Sequence, residues 1–259
     1  MNHALPGPNA SRPGLRYEGR ISAEARHGPP KPIELRAENV TRALALAAAL
    51  LVSASTLLQL SLHLTGQPHP FVAKLFYVDT ERNLPTAFSC LLLLFAALLL
   101  ALVSVLEAQR GAPLRHWVLL CLGFGLMTVD EAWSIHERAI EPLRALLGEE
   151  QDLGVLYYAW VVPGIVLVAL LTVYFWRFLG RLPARTALAF AAAGAIYLGG
   201  AIGMELIGGR YDELYGVTNL GYVLIVTIEE SLEMAGVIVF IWALLDYLRT
   251  HHRGVRLRF

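Results

Sequence analysis

Apolar positions in this chain gather into six runs, over residues 43–64, 85–106, 116–137, 155–176, 187–208 and 218–248. Each is long enough to cross about 30 Å of hydrocarbon as a helix. The runs are rich in Leu, Ala, Val and Ile, and the short alternating segments of a membrane β-barrel are absent. A segment in lipid must satisfy its own backbone, so helices are the expected solution. The pattern predicts an all-α polytopic membrane protein, with six transmembrane helices in a bundle over residues 41–249. Residues 1–40 are rich in Pro, Gly and Arg and read as a flexible cytoplasmic tail. Residues 250–259 read as a basic cytoplasmic tail. The first apolar run begins only near Arg42 and is of full span length, which is unlike a signal peptide.

Charge fixes the expected orientation. Sixteen Lys and Arg fall in the N-terminal segment, the turns after the second and fourth runs, and the C-terminal tail. Only five (Lys74, Arg82, Arg138, Arg144 and Arg210) fall on the other side. The positive-inside rule then places both termini in the cytoplasm of a bacterial inner (plasma) membrane. Trp and Tyr at the ends of the runs fit interfacial belts. Hydrophobic residues make up 56% of the 259-residue chain and charged residues only 16%. That balance excludes an ordinary soluble enzyme or a disordered chain. With Lys and Arg equal in number to Asp and Glu, nothing points to nucleic acid. Two cysteines, Cys90 and Cys121, fall near opposite faces in this topology, too far apart for a disulfide.

The candidate chemistry is acidic. Asp130, Glu131, His136 and Glu137 lie in the third run, Glu205 in the fifth, and Glu229, Glu230 and Glu233 in the sixth. A charged carboxylate at mid-bilayer costs about 2.5–3.5 kcal/mol. Seven unpaired ones would exceed the ~5–15 kcal/mol stability of a domain. No Lys or Arg lies inside a run to offset them, so they must share protons, bind a cation or face water. At ~100° per residue, Glu229, Glu230 and Glu233 share one ~100° arc, and Asp130, Glu131, Ser134 and Glu137 share one of ~120°. These faces are expected to meet in a polar core open to the outer side. His136 falls on the flank, toward a different neighbour. Asp79, Glu81 and Asn83 before the second run could cap this funnel. Tyr211, Asp212 and Glu213 read more simply as solvated loop. Gly199 and Gly203 read as a close-packing pair, and Pro163-Gly164 as a kink in the fourth helix.

Three similarities are only partial. Carboxylate-bridged di-iron bundles carry Glu-x-x-His, but four residues separate Glu131 from His136. The His-x-x-x-His boxes of membrane desaturases are missing. Glu229-Glu230 opens like the Glu-Glu-x-x-x-Arg motif of intramembrane CAAX-type proteases, but Met234 stands at the Arg position. There is no Walker loop, dinucleotide fingerprint or nucleophile elbow. Ser134, His136 and Asp130 have the residue types of a triad, but on one continuous helix they could not reach each other.

Oxygen-rich ligands with one His suit a hard divalent ion: Fe, Mn, Mg or Zn. Asp130, Glu131, His136, Glu137, Glu205, Glu229, Glu230 and Glu233 are the expected metal site. The expected function is a membrane-embedded, metal-dependent enzyme acting on a lipid or another apolar substrate. The alternatives are a cation- or proton-coupled transporter, or an accessory subunit of a membrane complex. The apolar inner halves of the runs place transport second.

Overall fold

A computed structural model describes residues 37–66, 70–148 and 152–252. The expected tails, up to residue 36 and beyond residue 252, lie outside the described residues. The described chain is helical throughout, with no strand. Its elements are α1 (Ala37–Thr65), α2 (Pro70–Phe76), α3 (Leu84–Gln109), α4 (Arg115–Trp133), α5 (Ile135–Arg138) and α6 (Ile140–Leu147). A 3-10 turn (Gly154–Leu156) leads to α7 (Val161–Leu179) and α8 (Ala184–Leu198). A π-helical turn (Gly199–Met204) then joins α8 to α9 (Glu205–Tyr215), and α10 (Leu220–His251) ends the fold.

Four helical stretches are long and apolar enough to cross a membrane: α1, α3, α7 and the continuous unit Ala184–Tyr215. A fifth joins them if α4 and the bent segment after it form one span. Of the six straight spans expected from the sequence, four or five are thus matched by helices that are long and apolar enough, and the third is bent. The sixth run forms α10, which is 32 residues long but carries Glu229, Glu230, Glu233 and Asp246. It packs against α1, α3, α8, the π turn and α9 and is the centre of the bundle. A helix wrapped by others meets protein rather than lipid, so its polar positions can face their own kind. Conversely, α1 and α7 are exposed over most of their length, as lipid-facing helices are.

The core lies between α3 and α10. Leu92, Leu100, Val103, Met234, Ile241 and Leu244 are fully enclosed. The Trp117 edge meets Phe178 and Phe190, and Phe124 stacks on Phe240 at 4.7 Å. Lipid tails are as apolar as leucine, so such contacts hold helices together by close packing more than by exclusion of water. Gly236 shows how close: a Cβ there would stand 2.7 Å from the backbone N of Tyr197.

Local sequence sets the ends. Asn83 caps α3 by accepting the Thr86 N–H, and its amide donates to the Tyr77 and Lys74 carbonyls. Its expected place in the funnel is thus a structural one. Pro163 falls in the first turn of α7, where its missing N–H costs nothing. It starts the helix rather than kinking it. Cys121 donates to the Ala97 carbonyl and Cys90 to that of Thr128. Both are free, but they sit about two helical turns apart along the α3–α4 seam rather than at opposite faces.

At the C-terminal end of α10 a second polar cluster closes the bundle. Buried Glu107 accepts bonds from the Tyr247 hydroxyl (3.0 Å) and pairs with His252 Nε2 (3.0 Å). Buried Asp246 pairs with Arg185 (3.1 Å) and Arg249 (2.8 Å).

Candidate functional site

At the opposite end of α10 the helices part around a cavity of about 470 Å³. Asp79 and Glu81 reach it from the loop before α3, and Glu131 from the end of α4. His136, Glu137, Glu141 and Arg144 reach it from α5 and α6, Glu205 and Asp212 from α9, and Glu229, Glu230 and Glu233 from α10. Among its lining residues are ten carboxylates against one arginine and one histidine. Seven of the eight residues expected from sequence line this one space. The eighth, Asp130, stands behind His136.

The α10 acids are placed by backbone contact. Gly200, in the π turn, comes so near that a Cβ would lie 2.7 Å from the Glu229 carbonyl and 2.9 Å from the Glu233 side chain. Of the expected close-packing pair, Gly199 has open space and a Cβ at Gly203 would meet only the Leu198 carbonyl, at 3.9 Å, so neither packs on another helix. The π turn inserts a residue into the helical repeat and turns Gly200, not its neighbours, toward α10.

The third apolar run is not one helix. It breaks at Ser134, which adopts a left-handed conformation (φ +45°), and the chain turns by 66°. Such a conformation is costly for a residue with a Cβ and is held by its surroundings. What holds it is Asp130. One carboxylate oxygen accepts the His136 backbone N–H at 3.0 Å, and the other meets His136 Nδ1 at 2.6 Å. The expectation that His136 faces elsewhere, out of Asp130's reach, is corrected by this break. With Nδ1 engaged, Nε2 has no protein partner and remains accessible, and His136 lines the cavity. The His136 ring lies 4.7 Å from that of Trp160, whose Nε1 donates to Glu205 at 2.9 Å. One unbroken chain of contacts thus links Asp130, His136, Trp160 and Glu205.

The rim is better paired. Arg144 donates to Glu141 at 3.1 Å and lies over the Tyr157 ring at 4.1 Å, while its Nε is buried with no partner. The Tyr158 hydroxyl donates to Asp212 (3.0 Å) and meets that of Tyr222 (3.1 Å). Arg210 holds Asp152 and Glu213, and Glu213 also accepts the Leu153 N–H. In the loop before α3, burial among protein atoms, and next the Glu137 charge, push the Asp79 carboxyl up to about 7. Its side chain nevertheless stays open to the cavity.

A small space of about 10 Å³ also borders Glu131 and Glu233, walled by Leu92, Leu93, Met234 and Val237 with Tyr197 and Ser89. That is room for a single water at most. Among the described residues no group of three or more His, Cys, Asp and Glu is arranged to hold a metal ion. The expected ligand set lines a common space without converging on a point. Asp130 and His136 bind each other, and the remaining acids spread over the wall.

Sequence reasoning missed five participants: Trp160, Tyr197, Glu141 and Arg144 were not singled out, and Asp212, read as solvated loop, lies in α9 on the cavity wall. Glu141 and Arg144 carried a signal: with Glu137 and Ile140 they fall on one helical face. Trp160 and Tyr197 are placed by tertiary contacts and carried none.

No curated protein and no solved structure matches this chain. A family model does match over residues 43–248, from the first apolar run through the last. The chain belongs to the family described as Domain of unknown function (DUF8692).

Proposed function

We propose that the protein is a membrane-embedded enzyme acting on the polar end of a lipid or another apolar substrate. In this reading the acid-walled cavity holds a divalent cation through the ion's own water shell. The observation that carries it is the imbalance on the cavity wall: ten carboxylates against Arg144 and His136. Carboxylates gathered without counter-charge favour a cation strongly, and a low-dielectric surround strengthens that pull. Their spread over about 470 Å³ suits an ion that keeps several waters, as Mg²⁺ does, better than one stripped to protein ligands. The volume also falls within the ~300–1,000 Å³ range of small-molecule sites.

The Asp130–His136 pair supplies a fixed imidazole whose Nε2 faces the same space. It can exchange a proton with a water or hydroxyl held there, while Asp130 steadies the ring. The apolar packing of α3 and α10 beyond Glu233, around Met234, Val237 and Ile241, favours chemistry in place over passage to the other side. The Lys and Arg asymmetry supports cytoplasmic termini and a bacterial inner membrane, with the cavity opening outward.

The test is manganese binding to the purified protein in vesicles, read by the loss of the free-ion paramagnetic signal. Saturable binding, abolished by E229Q/E230Q/E233Q and competed by magnesium, is expected. An unchanged free-ion signal at millimolar manganese would overturn the cation reading. Flux of manganese into sealed vesicles would instead favour transport.

A further inference from the structure

We propose that α5–α6 is an interfacial helix lying in the plane of the bilayer surface, so that the cavity mouth sits at headgroup level. The occupant of its outer face is the lipid surface itself. The inference rests on the proposed function only for what enters: the polar end of an amphiphile, drawn in without its tails leaving the membrane.

Three observations carry it. First, the 66° turn at Ser134 takes the chain off the axis of α4, and the Asp130 bonds fix that turn. Second, the two faces of the segment differ in kind. Glu137, Ile140, Glu141 and Arg144 recur at helical spacing on the cavity side. The other face presents Ile135 (50% exposed), Pro142 and Leu146 (83% exposed), with Arg138 among them. Apolar residues with a long basic side chain on a short amphipathic helix are the composition of an interfacial segment. Third, that face continues an apolar surface already committed to lipid. Trp133 at the end of α4 is 53% exposed, and α4 below it shows Leu122, Leu126 and Val129 outward. An indole at this level is an interfacial anchor. In open water the same face would leave leucine and isoleucine unburied for no return. Deep in the bilayer it would immerse Arg138 and the rim charges.

Spin labels at single cysteines, in a Cys90→Ser/Cys121→Ser background, read the depth in vesicles of phosphatidylethanolamine and phosphatidylglycerol. Labels at positions 135, 142 and 146 are expected to share one depth, about 5–10 Å below the headgroups. A label at position 126 should lie deeper, and one at 141 should stay open to a water-soluble nickel chelate. With labels growing steadily shallower from 135 to 146, the segment would carry on along α4 out of the bilayer, and with labels growing deeper, it would turn back into it; either steady change would overturn the inference. So would a label at 146 as open to nickel as that at 141, or one shielded from both oxygen and nickel as under a protein partner.

Quenching by shallow-brominated lipid, compared between the native chain and Trp133→Phe, repeats the measurement without cysteines. Loss of the Trp133 share from the quenching supports the placement, and no difference counts against it. Manganese binding is measured separately. Shallow labels without manganese uptake sink the cation reading alone, and uptake with water-exposed labels sinks this one alone.

Discussion

The two ends of α10 hold the same residue types in opposite states of balance. At the C-terminal end Glu107 meets His252 and Tyr247, and Asp246 meets Arg185 and Arg249. Each buried acid there has a partner within hydrogen-bonding distance. At the other end Glu229 and Glu230 face a cavity shared with eight further carboxylates, answered by one arginine and one histidine. A fold selected for stability alone would finish both ends like the first. The second end keeps a local excess of one charge, which only a ligand or a proton can balance. Sites of this kind are where stability is given up for function.

The comparison is broken most readily at the paired end. Glu107→Ala removes the acceptor of two buried partners and leaves Tyr247 and His252 unanswered. The expected loss is roughly 3 kcal/mol of unfolding free energy. Denaturation of the protein in detergent micelles measures it. A loss within ~0.5 kcal/mol, the usual range for an indifferent surface change, would show that this end is no more structural than the other.

Next in size is Gly200→Ala. The added methyl would stand 2.7 Å from the Glu229 carbonyl, so α8 or α10 must move. Overpacking of this sort costs about 1–3 kcal/mol. It should also weaken manganese binding, because the backbone that carries Glu229 and Glu233 shifts. Gly199→Ala, one residue away in open space, serves as the control and should change neither.

The acid triad sharpens the comparison by its sign. E229Q/E230Q/E233Q replaces three crowded carboxyls with amides that need no proton or cation to neutralise them and should raise stability, by roughly 1 kcal/mol. The same change should abolish cation binding. Heat stability and manganese uptake then move in opposite directions, which Glu107→Ala cannot reproduce. A triple variant that is less stable than the parent would mean the acids are partnered, and the two ends alike.

How far the chain announced this arrangement differs between its parts. Helical architecture was plain, because 20-residue apolar runs leave a backbone in lipid no other choice. The meeting of Glu131, Glu137, Glu205 and the α10 acids followed from the energetics of charge in hydrocarbon, and seven of eight expected residues reached one cavity. The break at Ser134 was hidden. Nothing in Trp133-Ser134-Ile135-His136 forbids a helix, and the turn depends on Asp130 capturing a backbone N–H six residues on. The same break made the Asp130–His136 pair invisible to reasoning from a single helical wheel. Gly200 was hidden for a related reason: a π turn shifts the helical phase, and periodicity assumes that the phase is constant. Apolarity alone does not single out α10 as a span, because burial by other helices removes the need for an apolar outer face there.

The smallest expected effect concerns the edge of the unbalanced end. Asp79 sits in the loop before α3, and burial, followed by the Glu137 charge, raises its carboxyl from the usual range near 3.8 to about 7. A raised acid favours its protonated form in the folded loop. Its contribution is therefore complete below about pH 3.8 and is lost as the pH rises through about 7. Because Asp79 sits in the loop between α2 and α3, the change should be confined to the loop rather than felt across the bundle. Hydrogen exchange of residues 77–83 should quicken several-fold between pH 5 and pH 8, beyond the intrinsic rise in exchange rate. Asp79→Asn carries no charge at either pH and should hold the loop at its slow-exchanging level throughout. Residues 246–252, where each acid already has its partner, should show no comparable step. If both ends quickened alike, or the Asn variant kept the full pH dependence, crowded negative charge would not be what distinguishes the cavity end.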